Sequence, residues 1–300
     1  MNNSTTLTYS VVTFAHNEEK SIAATIKSII ANTDSRLNNI CIVTNGCSDK
    51  TYDIALETLT EIAPCEFTVV NLPLGDKCNA WNHYVYQLLP ECDVHFFVDS
   101  DVTFTRNAFP QLFDTLIQTD KTAVTGLPQS GRNIAQYTEL ATRYACLFGN
   151  LYGLKHEFLT RLVQDEIKLP VGLSWIDAQL TKLVNHNLAA AKDDYQPRVT
   201  CKTGVGYVFD SLKPWHKADI KLYVNRLVRY KVGQLQEVYL DALPFSQWPA
   251  HIQPINQQIL QKGVSWRSLG KLCLLKPLIM QRLQKYQHDS KATSFTMPNK

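Results

Sequence analysis

The chain has 300 residues and a mass of 34.1 kDa; 45% of its residues are hydrophobic and 19% are charged. This length and apolar fraction allow one large domain with a buried core, alone or with a small appendage, and exclude a disordered tail. No run approaches the roughly 18 to 20 consecutive apolar residues of a membrane-spanning helix, and residues 1–30 lack the basic start and apolar block of a secretory signal.

The net charge of +3 is unevenly distributed along the chain. Residues 251–300 contain eight Lys or Arg and one acidic residue, Asp289, so this segment carries +7 and the rest of the chain −4. The whole chain therefore does not have the charge of a nucleic-acid-binding protein, whereas its basic end could meet an anionic surface. The eight cysteines form no CxxC pair, which disfavours a structural zinc site and indicates reduced, buried thiols in a cytosolic protein.

Strand-like and helix-like segments alternate through the first hundred residues. Four short apolar runs rich in β-branched and aromatic residues predict buried strands: Tyr9–Ala15, Ile40–Thr44, Phe67–Leu72 and Val94–Val98. Three amphipathic segments between them predict helices: residues 18–31, Ser48–Leu59 and Lys77–Leu88. Glu18 and Glu19 suit the start of the first helix, and Asp49 suits the cap of the second. The alternation indicates a doubly wound α/β fold with a mostly parallel sheet.

The pattern after residue 105 is less regular. Helices are predicted over four segments: residues 107–118, 134–148, 173–185 and 220–232. Strands are predicted over residues 123–126 and 199–210. There is no internal repeat and no low-complexity linker. We predict one domain over residues 1–215 and a basic helical segment over residues 216–300.

The sharpest local feature is the sequence Asp99-Ser100-Asp101, in which two carboxylates close an apolar strand. In a continuing strand these side chains would point to opposite faces, but where the chain turns both can approach one hard cation. A divalent ion there would bind carboxylate oxygens and the diphosphate oxygens of a ligand, and would stabilise the charge on a departing nucleotide diphosphate. Two acids that only face solvent in a loop are the alternative.

Four motifs in the first third of the chain occur in the order found in the inverting nucleotide-sugar glycosyltransferases of family two. They are residues 15–19 (AHNEE), 45–51 (NGCSDKT), 75–82 (GDKCNAWN) and 99–101 (DSD), which resemble the family's YNEE, DGSTDGT, GKxxALN and DxD. The resemblance implies a Rossmann-like fold of the GT-A type, with helices on both faces of the sheet and, in this chain, additional C-terminal helices. It also implies transfer of a sugar from a nucleotide-sugar donor, with a UDP-sugar favoured, to an acceptor hydroxyl, with inversion and with Mn²⁺ or Mg²⁺ as cofactor.

The resemblance assigns donor-binding roles to the first three motifs. The ring of His16 would stack on the nucleobase, with Asn17 and Glu18 in the same loop. Asn45 stands where the family usually has Asp; its amide oxygen can accept from the N3–H of uracil, while its NH₂ group leaves cytosine or another base open. Lys77 would pair with a phosphate at the start of its helix. The alternatives are a solvated loop histidine and a solvated surface lysine.

The same resemblance places the metal and the catalytic base. Asp99 would contact the ribose and share the metal with Asp101, and Ser100 lies between them in the donor site. The segment that ends in Asp177 resembles the helix start "ED" that supplies the base, although Ile176 replaces the Glu. Asp177 would take the proton of the acceptor hydroxyl; an acid that only favours the helix dipole is the alternative.

Residues 226–230 (RLVRY) resemble the family's QxxRW helix, with Tyr230 in place of Trp. Arg226 and Arg229 are three residues apart and share one helix face, so they would hold the diphosphate or the acceptor. Two surface arginines on a basic helix are the alternative. The resemblance makes residues 1–215 a nucleotide-sugar transferase domain.

The basic end contains a stripe of apolar residues at helical spacing, interrupted at Pro277: Leu269, Leu272, Leu275, Ile279, Leu283 and Tyr286. Residues 266–286 therefore suit peripheral contact with an anionic membrane or packing on the domain, and we favour packing. The predicted partners are the nucleotide-sugar donor and a saccharide or glycolipid acceptor, without nucleic acid. The predicted location is the cytoplasm, with the cytoplasmic face of a membrane as a further option.

Two alternatives to a transferase come from other function classes. The run of residues 99–103 (DSDVT) after an apolar strand also fits the DxDxT of haloacid-dehalogenase-type phosphatases, in which Asp99 would be the nucleophile and Asp101 the acid and base. Asp193 and Asp194 could then serve as its acidic pair. A transferase fold kept only for binding is the second alternative, suggested by Asn45 and by the missing Glu in the base motif.

Overall fold

The structure is a computed structural model and describes residues 6–189, 194–209 and 215–289. The chain forms two compact units. The first comprises Met1–Lys168 and Ile176–Ser211, and the second comprises Leu169–Trp175 and Leu212–Lys300. The predicted domain boundary at residues 215 and 216 adjoins residues outside the described part, and it stays a prediction. Asp193 also lies outside the described residues.

Within the described residues, the first unit contains an eight-stranded mixed sheet. Its strands are β1 (Tyr9–Ala15), β2 (Leu37–Asn45), β3 (Glu66–Leu72), β4 (Val94–Asp99), β5 (Thr103–Phe104), β6 (Ala123–Pro128), β7 (Leu151–Lys155) and β8 (Val199–Val208). They lie in the order β3-β2-β1-β4-β7-β6-β8-β5. The four strands β1 to β4 run parallel to one another, whereas β7 is antiparallel to both β4 and β6. The carboxyl ends of β1 to β4 therefore meet at one edge of the sheet.

Seven helices belong to the described part of this unit: α1 (Ile22–Ala31), α2 (Thr51–Ile62), α3 (Lys77–His83), α4 (Ala108–Ile117), α5 (Ile134–Tyr144), α6 (His156–Gln164) and α7 (Ile176–Asn185). They cover both faces of the sheet by burying apolar stripes, as α1 does with Ile22, Ile26 and Ile29. The core lies between these helices and the strands, where Phe96 of β4 packs against Tyr9 of β1. The predicted α/β fold class is confirmed.

Several predicted elements have different limits in the structure. Helix α1 begins at Ile22, so Glu18 and Glu19 lie in the preceding loop, because Asn17 has a φ of +57° and the Glu18 N–H donates to the Thr51 hydroxyl at 2.7 Å. The predicted helix over residues 77–88 is α-helical only as far as His83 and continues as a π-helical turn over Tyr84–Leu88. No disulfide joins the eight cysteines, all of which are described; only Cys41 and Cys78 are fully buried, so the prediction of buried thiols holds for those two.

Three elements of the first unit, β5, β7 and α6, were not predicted from the sequence. Strand β7 contains Gly153, which interrupts the apolar pattern. A Cβ added at Gly153 would lie 2.8 Å from the ring of Phe96, so the glycine leaves the space that this buried phenylalanine fills.

The second unit is helical in its described part: α8 (Lys217–Leu240), α9 (Gln253–Lys262), α10 (Trp266–Leu269) and α11 (Lys276–Asp289). The segment Leu169–Trp175 joins this unit through backbone hydrogen bonds between Val171 and the turn before α9, with lengths of 2.9 Å. Leu269, Ile279 and Leu283 of the predicted apolar stripe are buried, whereas Leu272 and Leu275 are half-buried, so part of this stripe packs inside the unit. The side chain of Tyr286 lies outside the described part. None of the described helices combines the length and the hydropathy needed to cross a bilayer.

Candidate donor-binding and catalytic site

His16 lies directly after β1, at the edge where the parallel strands end. Its Nδ1 is 2.7 Å from the backbone carbonyl of Asn45, and because a carbonyl only accepts, Nδ1 carries the proton. The ring also packs against Gly75, where an added Cβ would lie 3.1 Å from His16 Cε1. These contacts fix an exposed aromatic ring between the loops that follow β2 and β3. Such a ring can stack on a planar base.

The side chain of Asn45 is buried at the end of β2, and its orientation is fixed. Its Nδ2 donates to the backbone carbonyl of Ala15 at 2.9 Å. A carbonyl accepts only from the NH₂ group, so this contact turns the Oδ1 acceptor to the other side of the amide. The arrangement suits an acceptor that faces a base N–H.

The loops after β2 and β3 touch through their backbones. Gly46 has a φ of +58°, and a Cβ added there would lie 2.5 Å from both the Cα and the N of Gly75. The Gly46 N–H also donates to the Leu72 carbonyl at 2.7 Å. Only glycine fits this position, both for its left-handed conformation and for the close approach. The contact holds the two loops beside His16.

Asn17 and Asp49 join the loop after β1 to the start of α2. Asn17 Oδ1 accepts from the Ser48 N–H at 2.8 Å. Asp49 accepts from the Thr51 N–H at 3.0 Å and from the Glu19 N–H at 3.1 Å. The N-cap position of α2 is occupied by Lys50, so Asp49 lies one residue before the predicted cap and binds the first N–H of the helix. The described contacts give Asn17 and Asp49 the role of holding the loop.

Lys77 begins α3 and forms an ion pair with Asp99, the last residue of β4. Both side chains are about one-third exposed. Asp76 is buried and caps α3 by accepting from the Asn79 N–H at 2.9 Å. Its carboxylate is thus turned into the helix end. The ammonium of Lys77 lies beside the acidic turn, where it can also pair with a phosphate oxygen.

The chain turns after β4, as the acidic pair requires. The buried hydroxyl of Thr25 lies within hydrogen-bond distance of two carbonyls of this turn, that of Ser100 at 2.9 Å and that of Val102 at 3.0 Å. Asp99 is half-buried, Ser100 is buried and Asp101 is exposed. The turn therefore keeps both carboxylates at the strand end while burying the residue between them.

Three carboxylates share this end of the sheet. Burial raises the pKa of Glu18, a hydrogen bond from Ser21 opposes the shift, and the negative charges of Asp101 and Asp99 raise this pKa further. The acidic turn thus generates a negative potential that extends to the loop after β1.

The residues present fit a hard divalent cation that is shared with a ligand. Asp99 and Asp101 offer the carboxylate oxygens that Mn²⁺ and Mg²⁺ bind, in a negative potential that favours a cation. No group of three or more His, Cys, Asp or Glu within the described ranges is placed to hold a metal. The protein would therefore supply part of the coordination, and a diphosphate and water would supply the rest. Asp99 already shares its carboxylate with the Lys77 ammonium.

Asp177 lies in the first turn of α7, and its carboxylate rests on Gly149. A Cβ added at Gly149 would lie 2.5 Å from Asp177 Oδ1. Gly149 precedes β7, and the next residue, Asn150, accepts from the Asp99 N–H at 3.3 Å. The two residues before β7 thus contact both Asp177 of α7 and Asp99 at the carboxyl end of β4.

Tyr152 is a buried residue of this site that has no signal in the sequence. Its hydroxyl accepts from Trp81 Nε1 at 3.0 Å, and its ring stacks on Phe97 with 4.9 Å between ring centroids. Burial raises the pKa of Tyr152 well above its ordinary value, and the charges of Asp177 and Asp99 add to the effect. The phenol stays neutral beneath the two carboxylates, and sequence spacing alone does not distinguish it from an ordinary core tyrosine.

The protein family follows from a comparison with known sequences. Residues 10–172, more than half of the chain, match the model of Glycosyl transferase family 2. The chain belongs to glycosyltransferase family 2. The match includes all four motifs and both partners of the ion pair between Lys77 and Asp99. No curated protein sequence matches this glycosyltransferase.

Solved structures share the fold of this glycosyltransferase. The mannosyltransferase PcManGT from Pyrobaculum calidifontis, crystallised with GDP-Man and Mn²⁺, has 14% identity and a TM-score of 0.59, over 97% of this chain and 76% of that one. Glucosyl-3-phosphoglycerate synthase from Mycobacterium tuberculosis, with Mg²⁺ and uridine diphosphate, has 20% identity and a TM-score of 0.50, over 74% and 79%. TarS residues 1–349 from S. aureus have 13% identity and a TM-score of 0.50, over 97% and 93%. At these identities the likeness shows the fold, which is the predicted GT-A type.

The predicted arginines of the glycosyltransferase lie in its second unit. Arg226 and Arg229 are exposed on α8. Tyr230 packs against Trp175 with 5.6 Å between ring centroids, and the Arg229 guanidinium lies 5.7 Å from the Tyr230 ring. These contacts order this part of α8 within the unit. The roles of both arginines toward a donor or acceptor stay predictions.

Proposed function

We propose that this glycosyltransferase moves one sugar from a nucleotide-sugar donor to an acceptor hydroxyl, with inversion and with Mn²⁺ or Mg²⁺. The observation that carries the proposal is that Asp177 and Asp99, the first residue of the acidic turn, both contact the two residues before β7, at Gly149 and Asn150. A base and a leaving-group site at one strand end are what a single displacement needs.

The nucleotide lies across the loops that follow β1 and β2 in this proposal. His16 stacks on the base, and Asn45 Oδ1 accepts from its N3–H, which favours uracil. Support for uracil comes from the Ala15 carbonyl, which engages the NH₂ group of Asn45 and leaves the acceptor side of the amide for the base. Asn17 and Glu18 shape the loop around it.

The diphosphate lies at the acidic turn. Asp101, with Asp99, would hold a divalent ion that neutralises charge on the departing nucleoside diphosphate. Lys77 adds a positive charge beside Asp99, and the buried Ser100 fixes the turn. Arg226 and Arg229 are proposed to bind the diphosphate or the acceptor.

Asp177 acts as the general base. The acceptor oxygen attacks the anomeric carbon from the face opposite the diphosphate, its proton passes to the Asp177 carboxylate, and the bond from the anomeric carbon to the diphosphate oxygen breaks. One displacement inverts the anomeric configuration. The contact with Gly149 supports this role, because a base must be held within about 0.5 Å of its working position.

Neither alternative function gains support. The phosphatase proposal uses Asp99 as nucleophile, but Asp99 is paired with Lys77 and lies within the family match. A fold kept only for binding would not require a carboxylate fitted against Gly149. The acceptor is proposed to be a saccharide or glycolipid, without nucleic acid, and the cytoplasmic location stays a prediction.

Calorimetry with a panel of nucleoside diphosphates, with and without Mn²⁺, tests the donor site, and release of nucleoside diphosphate from matched nucleotide sugars tests turnover. D101A is expected to abolish metal-dependent nucleotide binding. D177N is expected to retain binding and to lose turnover, because an amide cannot take the proton. Full turnover by D177N would remove Asp177 from the mechanism, and metal-independent binding by the parent enzyme would refute the role of the acidic turn.

A further inference from the structure

The second unit exposes a group of apolar and cationic side chains around the turn between α10 and α11. We call it the basic knob; it consists of Trp266, Arg267, Lys271, Leu274, Lys276 and Leu278. The exposed fractions of its apolar side chains are 61% for Trp266, 86% for Leu274 and 42% for Leu278. Side chains of this size are seldom left in water together without a partner.

The knob is distinct from the apolar stripe that packs inside the unit. The buried residues of that stripe are Leu269, Ile279 and Leu283. Between them the chain makes a 3₁₀ turn over Gly270–Leu275, and this turn carries Leu274 outward. Helix α11 therefore packs in the unit through Ile279 and Leu283, and this packing does not explain why an apolar residue is exposed at position 274.

The apolar residues of the knob are accompanied by cations. Arg267 and Lys271 are exposed, and the Lys276 ammonium lies 4.9 Å from the centroid of the Trp266 ring. No acidic residue occurs in residues 242–288, which contain six Lys or Arg. The positive charge of this surface is thus not offset by acids of the same segment.

We propose that the basic knob docks on a membrane surface that contains anionic lipid. Trp266 and Leu274 enter the headgroup region, and the neighbouring cations pair with lipid phosphates. A polyanion such as a nucleic acid would use the cations but would leave Leu274 in water. The inference goes beyond the sugar-transfer reaction and does not depend on it.

The test uses the full chain and vesicles of phosphatidylcholine with or without phosphatidylglycerol, in a co-sedimentation assay. Binding to the phosphatidylglycerol vesicles is expected, and added salt should weaken it. L274E should lower the partition coefficient at least about tenfold, since it replaces the inserted side chain by a charge that anionic lipid repels. K271Q should lower it about fivefold, as expected for one cation at the surface.

W215A is the matched control, because Trp215 is also exposed, at 80%, but lies outside the knob. It should bind vesicles like the parent chain, and equal thermal midpoints show that all variants are folded. Equal binding to neutral vesicles, no binding to either vesicle, or unchanged binding by L274E would overturn the proposal. So would a dimer in light scattering that L274E dissociates, which would assign the knob to a second copy of the chain.

Discussion

Replacing Gly149 by Ala tests whether the position of Asp177 controls turnover. The new Cβ would lie 2.5 Å from Asp177 Oδ1 and 3.0 Å from its Cγ, whereas ordinary contacts begin at 3.4 Å. The carboxylate must therefore move by about 1 Å, a displacement that can lower the rate about a hundredfold, or ~2.7 kcal/mol in transition-state stabilisation. The clash falls on the end of a side chain, so the free energy of unfolding should change little.

The assay is release of nucleoside diphosphate at saturating donor, with nucleotide affinity measured in parallel by calorimetry. G149A should lose turnover and keep nucleotide affinity, because the donor residues follow other strands. G204A serves as a control: Gly204 has a φ of +78° and no atom within 4 Å of an added Cβ, so that substitution strains only the backbone. Parent-like turnover in G149A, or an equal loss in G204A, would refute the reasoning.

Three further outcomes follow from contacts of the first unit. K77A should weaken nucleoside diphosphate affinity about tenfold in calorimetry, because it removes a cation from the proposed diphosphate site and breaks the ion pair with Asp99; unchanged affinity would exclude Lys77 from that site. Y152F leaves the buried Trp81 N–H without its acceptor and should lower the free energy of unfolding by about 1–3 kcal/mol in urea titrations; an unchanged free energy would contradict this role of the hydroxyl. Burial lowers the pKa of His95 to about 3, and the nearby His156 adds to the shift, so the unfolded chain binds a proton below about pH 6.5 that the folded chain does not. The free energy of unfolding should therefore decrease as the pH is lowered from about 6.5 to 3, by up to ~1.4 kcal/mol per pH unit from this group. H95Q should show a smaller dependence of this free energy on pH, and an equal dependence would contradict the assignment.

The sequence predicts the half of the sheet that carries the four motifs because its signals there are local. Strands β1 to β4 are apolar runs, and parallel strands bring the residues that follow them to one edge. His16, Asn45, Lys77 and Asp99 are therefore found together as expected. Glu18 is the exception, since its place in a loop rather than a helix depends on a hydrogen bond to Thr51, 33 residues away.

The remainder depends on contacts between distant parts of the chain. Strand β7 is short and contains Gly153. A glycine is needed there because the ring of Phe96, which is distant in sequence, fills the space of a Cβ. The fit of Asp177 on Gly149 joins residues 28 positions apart, and no periodic pattern predicts it. Tyr152 likewise has its hydrogen-bond partner 71 positions away. In residues 266–286 three members of the apolar stripe are buried, as expected for packing. The outward turn at Leu274 was not predicted, because a 3₁₀ turn breaks the helical spacing.

The hydroxyl of Thr25 has a consequence for how donor preference can change. It ties α1 to the acidic turn, and α1 begins just after the loop that carries His16. In the proposed donor site, this one connection would support both ends of the donor molecule. If the base lies in that loop as proposed, exchanging side chains there would alter the preferred base while the carboxylates keep their alignment. New nucleotide preferences could then arise in this scaffold without rebuilding the step that expels the leaving group.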